Sequence, residues 1–538
     1  VSRFVRYGLP QPLPRSTFTV GQFAPTLGYV AAPGIPTPLG SLVSAQNVVV
    51  YDNRLEPRPR LARFGTGNVW ADTPNGAFHY DDIGGSRYPV ITSRSTVAFL
   101  ADSGAWTALT YASGASGGVN DPPSGGLNDL FFGTSVYLPR TDVNIAVYVN
   151  NVDQMFAWGG PTATTFSTLT QAPVARDVTL FDNRPVAWNI SESANTHFVT
   201  RVAWSVRGDP EDWTGIGAGT DDLVDMRGVG TRIFSTEDEL LLFSTEETWR
   251  GRKIGLPFVL QFQPLEREIG LAHPRAVVQT PDGIIWLHRD NMVYRLAGGT
   301  ISEIGGAIQR ELHDTIINRD RAFFTTHPDT RMTTLWYSAD ANEPNRGFTF
   351  NTLNGTWAPQ RFASHRVSVG ITGFPASSSA TTWGGLVGTI DEQFLTYDQL
   401  LGHSSSGNQA DVLASSTGTI YSMSHSATSD DGVAMLAEAQ LGAFGVDSPH
   451  RRKFLYEARL ELTAASASSL SVAVSPDLGA TFPTETRLAI SAASQTTQAK
   501  VNLPVTGNTL TLRVRDDSGG NWRLASVAMT ARVDGEAI

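Results

Sequence analysis

Between residues 277 and 304 the chain alternates apolar runs with polar turns at the spacing of short antiparallel strands. Residues 284–288 are apolar and β-prone, Arg289-Asp290-Asn291 turns the chain, 292–296 returns, Gly298-Gly299 turns it again and 300–304 makes a third pass. With residues 275–280 and the turn Pro281-Asp282-Gly283 ahead of them, the pattern predicts four antiparallel strands in about 30 residues, the content of one propeller blade.

The same texture recurs. Blade-length segments are predicted at 76–110, 129–169, 175–213, 224–270, from 272 through the stretch just described, at 321–361, and at 367–424. The last is the least regular. It is interrupted by a polar loop at 401–411, and this irregularity predicts that a strand from the N-terminal hairpin completes it. The best helical pattern lies between Gly306 and Asn318, where Ile308, Leu312 and Ile316 form one apolar stripe. It is expected to cover a blade edge.

After Asp430-Asp431-Gly432 the strands lengthen and alternate strictly, at 437–441, 453–463, 469–475, 485–490, 498–503, 509–516 and 526–533. Such a set fits a β-sandwich of the jelly-roll kind. At the other end, Pro10, Pro12, Pro14, Pro25, Pro33, Pro36 and Pro38 leave little room for regular structure, so 1–40 reads as an extended arm. Residues 48–51, the turn Asp52-Asn53 and 55–63 read as an opening hairpin. The predicted fold is therefore all-β: an arm (1–40), a seven-bladed β-propeller with its hairpin (41–430) and a C-terminal β-sandwich (431–538).

Composition agrees with many turns and few helices, since 51 of 538 residues are Gly, 30 are Pro and only 17% are charged. There is no cysteine, which removes disulfides, thiolate metal ligands and thiol nucleophiles. No run of about 18 apolar residues is present, and residues 1–13 lack an apolar leader core, so the chain reads as soluble, without a Sec-type signal and without direct membrane insertion. A net charge of −11 argues against wrapping nucleic acid.

Candidate chemistry is sparse. Ser475-Pro476-Asp477-Leu478-Gly479-Ala480-Thr481-Phe482 matches the Asp-box pattern of sialidase propellers, which is a turn device rather than a catalytic one. His273, His288, His313 and His327 lack metal-ligand spacing and read as packing or solvated residues. Glu237-Asp238-Glu239, Glu246-Glu247, Asp221-Asp222 and Asp81-Asp82 read as solvated loop tips, or as an acidic opening if several share one rim. Arg250, Arg252 and Lys253 form a basic turn suited to a subunit contact or a plain surface loop. Gly-rich segments such as 114–118 lack the strand, Lys and helix needed to cradle phosphate. No catalytic, cofactor-binding or metal residue is assigned, and no cofactor is expected.

Three stretches carry a resemblance. They are Ser44-Ala45-Gln46-Asn47 with Arg58-Pro59-Arg60-Leu61; Arg201-Val202-Ala203-Trp204-Ser205 with Gly208-Asp209-Pro210-Glu211-Asp212-Trp213; and Thr245-Glu246-Glu247-Thr248-Trp249 with residues 265–270 and Pro281-Asp282-Gly283. Together they resemble the tail hub or nozzle propellers (tail tubular or stabilisation type) of short-tailed bacteriophages. The resemblance implies a structural virion protein, not an enzyme, assembled in the host cytoplasm. It also implies a homohexameric ring below the portal and head–tail adaptor, bound to fibre, spike or needle proteins and passing viral DNA without reading it. The alternative reading is a carbohydrate-active propeller: a sialidase-like glycosidase, a depolymerase or a lectin.

Overall fold

The computed structural model describes residues 17–23, 28–29, 40–112, 123–193, 196–255, 258–327, 330–340, 342–373, 410–444, 452–464 and 468–533. It is all-β, with one short helix among the described residues, and it divides into two compact units. One comprises residues 1–58, 356–360 and 434–538, and the other comprises 59–355 and 361–433.

The second unit is a succession of seven small sheets. The first holds Pro74–Asp81, Arg87–Ser93, Val97–Leu100 and Trp106–Ala108; the second runs from Phe132–Leu138 to Thr165–Thr168, with Thr110–Tyr111 added in parallel. The third runs from Val174–Phe181 to Gly219–Asp222 and the fourth from Gly230–Ser235 to Leu260–Glu266. The fifth is Val277–Thr280, Gly283–Leu287, Val293–Ala297 and Thr300–Glu303, the meander read from the sequence. Asn318–His327, Met332–Ser338 and Arg346–Asn351 pair in order in the sixth.

The seventh sheet contains Val367–Gly373, Ala410–Ser415 and Ile420–Ser424, and its fourth strand is Arg60–Arg63 from the N-terminal part of the chain. Asp430 Oδ1 accepts the Leu61 amide at 3.0 Å, and Asp431 N donates to the Leu61 carbonyl, which holds that strand in register. The polar loop expected at 401–411 lies outside the described residues apart from Ala410 and Asp411.

The backbones of neighbouring sheets approach most closely at their first strands. The first strands of sheets one to four lie against one another in turn, as do those of five, six and seven, and the seventh lies back against the first. Apolar side chains fill the gaps between consecutive sheets. Phe99 and Tyr80 of the first pack on Trp158 of the second, with ring centroids 4.7 and 5.1 Å away; Phe243 of the fourth packs on Trp286 of the fifth at 5.5 Å. Trp188, Trp286 and Trp336 occupy the second strands of sheets three, five and six, all fully buried. Both faces of such a strand are covered, so these strands read as continuous apolar runs. The helix is Gln309–Thr315, and the expected stripe places Ile308 and Leu312 in the interior.

The first unit consists of two six-stranded sheets. One is ordered Ala493–Gly507, Lys453–Ala464, Trp522–Val533, Arg54–Pro57, Val48–Tyr51, with Thr17–Phe23 also pairing Trp522–Val533. The other is ordered Gly28–Tyr29, Ser41–Gln46, Ala437–Phe444, Leu510–Asp516, Ser468–Ser475, Thr484–Ile490. One continuous core joins them, including Leu42, Leu460, Val472, Leu512 and Trp522.

Two expectations need correction. The arm is not without regular structure, because residues 17–23 and 28–29 are sheet strands; its other residues lie outside those described, except Gly40. The opening hairpin does not belong to the propeller segment as a whole. Val48–Tyr51 and Arg54–Pro57, turning at Asp52 and Asn53 with φ of 48° and 54°, group with the C-terminal strands. The expected strand 55–63 breaks at Arg58-Pro59, since proline supplies no donor for a continuous ladder, and only Arg60–Arg63 joins the small sheets.

Candidate ligand cavity

The first strands of six of the seven small sheets surround a cavity of about 460 Å³. Its wall includes Phe78 and His79 from the first sheet, Phe132 from the second, Arg232 and Phe234 from the fourth, Gln279 from the fifth, Thr325 from the sixth and Ile371 from the seventh, with Arg87 at the start of a neighbouring strand. Glycine lets these strands approach. A Cβ on Gly133 would fall 2.7 Å from the Phe78 ring, and one on Gly370 would fall 2.5 Å from Thr325 Cγ2.

The wall is cationic and aromatic, and no Asp or Glu is among the described residues that line it. Arg232 is held from behind. Its Nη1 donates to Asp177 Oδ1 at 2.7 Å, while Asp177 also accepts the amides of Val178 at 2.8 Å and Ile233 at 2.6 Å. The guanidinium carbon then sits 3.9 Å from the centroid of Phe132, a cation–π placement. Burial raises the Asp177 carboxyl to about 6, against the pull of Arg232, so the pair is ionised at neutral pH.

On the opposite wall Thr325 links the cavity to a second buried carboxyl. Trp336 Nε1 donates to Thr325 Oγ1 at 3.1 Å, and Thr325 Oγ1 donates to Asp411 Oδ2 at 3.4 Å. Burial raises Asp411 to about 6, and the charge of His327 works the other way. Nearer the start of the first strands, Arg275 Nη1 donates to the Ser368 carbonyl at 2.7 Å and Arg321 lies 3.5 Å from Glu343.

The residues singled out in the sequence scatter. His273 is buried, and burial with the nearby Arg275 holds it well below the ordinary imidazole value; His288 Nδ1 meets the Gly270 carbonyl at 2.8 Å; His313 is exposed on the helix. Among the described residues no group of three His, Asp or Glu converges as a metal site would require. The acidic runs do not line the cavity. Asp81 and Asp222 pair with Arg87 and Arg201, and Glu237 and Asp238 are exposed. Glu247, expected at a loop tip, is fully buried, accepting Arg227 Nε at 2.6 Å and Trp249 Nε1 at 2.8 Å.

In the basic turn, Lys253 meets Asp182 at 2.8 Å and Arg252 meets Glu239 at 3.4 Å. The Asp box is a turn: Ser475 Oγ donates to Asp477 Oδ1 at 2.6 Å, and Thr481 gives Asp477 its amide at 2.8 Å and its hydroxyl at 2.6 Å. Sequence reasoning missed the cavity residues themselves. Phe78, Phe132, Arg232 and Thr325 sit in unremarkable strands, and only the repeated position of those strands as the first of each sheet could have pointed to them.

No family model matches the sequence, and no curated protein matches it. Solved structures do. An exo-β-1,3-galactanase from Phanerochaete chrysosporium with galactose matches at 8% identity and TM-score 0.24, over 74% of this chain and 95% of that one. A glycoside hydrolase family 43 arabinoxylan arabinofuranohydrolase from Bacillus subtilis, in complex with cellotetraose, matches at 9% identity and TM-score 0.23, over 92% and 96%. PorZ, a surface component of the type-IX secretion system of Porphyromonas gingivalis, matches at 10% identity and TM-score 0.31, over 72% and 43%.

The expected tail-nozzle protein that is not an enzyme is not carried forward. Two of the three structures are glycoside hydrolases, and none of the three is a tail protein. The motifs behind that expectation prove to be local turn and pinning devices. Asp209 and Asp212 accept amides of their own turn, Trp213 Nε1 donates to the Pro210 carbonyl at 2.7 Å, and Asp282 accepts Arg331 at 2.9 Å and Thr352 at 2.6 Å.

Proposed function

We propose that the chain is a carbohydrate-active protein, built as a seven-bladed β-propeller with a β-sandwich, that takes an acidic sugar unit in the cavity enclosed by the first strands. The observation that carries this reading is the wall itself: Arg232, Arg87 and His79 beside the rings of Phe78, Phe132 and Phe234, with no carboxylate facing in among the described residues. A guanidinium matches a carboxylate in shape and charge, and aromatic faces suit the C–H surface of a sugar ring. The volume of about 460 Å³ lies within the range of small-ligand sites.

Cleavage of a bound glycan needs a proton donor and a second carboxylate flanking the bond. Asp177 and Asp411 are the buried carboxyls bonded directly to wall residues, through Arg232 and Thr325, and both titrate near 6. The test is calorimetric titration of the whole chain with galacturonate and with galactose, followed by assay of reducing ends released from an acidic polysaccharide. Binding of the acid in preference to the neutral sugar is expected, and Arg232→Gln should weaken it at least about tenfold, the loss of one charge-assisted contact. Equal affinity for the two sugars would overturn the reading. Released reducing ends would mark a hydrolase, and binding without release a lectin.

A further inference from the structure

Arg176 carries a charge that nothing among the described residues meets by a hydrogen bond or an ion pair. It stands on Val174–Phe181, the first strand of the third sheet, immediately before Asp177. Burial holds its pKa below the usual arginine value, and Asp177, Asp129 and Asp320 act on it only through space. Those carboxylates have other roles or positions. Asp177 is bonded to Arg232, Ile233 and Val178, Asp129 accepts the Gly126 amide at 2.7 Å, and Asp320 is exposed on the sixth sheet. The neighbouring arginines differ, since Arg232, Arg275 and Arg321 all have partners. A partly desolvated cation without a partner costs stability, which is the arrangement expected of a group kept for an external anion.

Its direction follows from the strand. Consecutive side chains point to opposite faces, and Asp177 faces the fourth sheet, where it meets Arg232 and Ile233. Arg176 therefore faces the second sheet. Arg232 reaches that same sheet from the other side, with its guanidinium over Phe132. Asp129, whose charge Arg176 senses, lies three residues before Phe132.

We infer that Arg176 forms a second anion subsite in series with Arg232, so that the ligand is an oligomer bearing acidic groups on more than one sugar unit. This rests on reading the cavity as an acidic-sugar site. The two ideas separate in one experiment: titration of the whole chain and its Arg176→Gln, Arg176→Lys and Arg232→Gln variants with monogalacturonate and with trigalacturonate, each variant checked for an unchanged melting transition.

Arg176→Gln should weaken trigalacturonate binding about tenfold and leave monogalacturonate binding unchanged, Arg176→Lys should recover part of the loss, and Arg232→Gln should weaken both probes. A wild-type chain that binds the two probes equally, or an Arg176→Gln variant that weakens both alike or neither, overturns the second subsite while the cavity reading stands. A wild-type chain that takes neither probe overturns the cavity reading and the subsite with it.

Discussion

The two units bury their apolar surface in different ways. In the unit containing residues 434–538, Lys453–Ala464 turns one face inward and the other outward, as its alternating burial shows, and the two sheets share one core. In the unit of small sheets the core is divided. Separate clusters join the first sheet to the second, the second to the third, and the third to the fourth, so each sheet is covered on both faces. Little outward face then remains near the centre for polar groups, and they collect at strand ends and on the first strands. Asp177, Arg275 and Asp411, all buried, are placed there. The difference teaches where to look for function: the first unit fills its interior with one shared core, and the second encloses a cavity with its first strands.

The largest effect that would sharpen this contrast comes from core truncation. Trp522 is fully buried in the shared core, with Nε1 donating to Asp516 at 3.1 Å. Trp522→Ala should cost about 3–5 kcal/mol and raise hydrogen exchange across both six-stranded sheets. Trp336→Ala, in the cluster between the sixth and seventh sheets, should raise exchange only there. Loss of protection throughout all seven small sheets would break the comparison.

A smaller effect concerns the buried carboxyls. Asp411 titrates near 6 when folded and near 3.8 as a free side chain, so the folded state holds the proton more tightly. That contribution to stability is present below about pH 4 and is lost as pH rises through 6. Asp411→Asn should lose that slope and melt above the wild type at pH 7.5. Parallel melting curves from pH 4 to 7.5 would show that the carboxyl carries no such penalty.

The smallest effect is expected at the Asp box. Hydrogen bonds from Ser475 and Thr481 lower Asp477 to about 2, the case opposite to Asp411, so its contribution is present above pH 4 and is lost as pH falls toward 2. Asp477→Asn should raise amide exchange at residues 477–481 at neutral pH and leave the small sheets unchanged. Unaltered exchange at Thr481 would mean that the backbone alone holds the turn.

Much of the strand pattern was legible because its signal is local. The fifth sheet, the alternation of residues 453–463 and the stripe of Ile308 and Leu312 each depend on spacing within one element. The burial of Glu247 was not legible, since an acidic pair at a turn reads as solvated until Arg227 and Trp249 are seen to close over it. The cavity was hidden for a similar reason: Phe78, Phe132, Arg232 and Thr325 come from four sheets, and none lies in a distinctive motif.

By itself, then, the sequence determined the all-β character, the succession of short meanders, the change to longer alternating strands after residue 432 and the Asp-box turn, because local backbone geometry and side-chain period set each of these. Only the tertiary structure decided that the N-terminal strand expected to complete the seventh sheet is Arg60–Arg63, that residues 41–58 join the C-terminal strands, and that Arg232 lies over Phe132 with Asp177 behind it. Those are pairings across tens or hundreds of residues, fixed by which surfaces fit together, and no periodicity within a single strand records them.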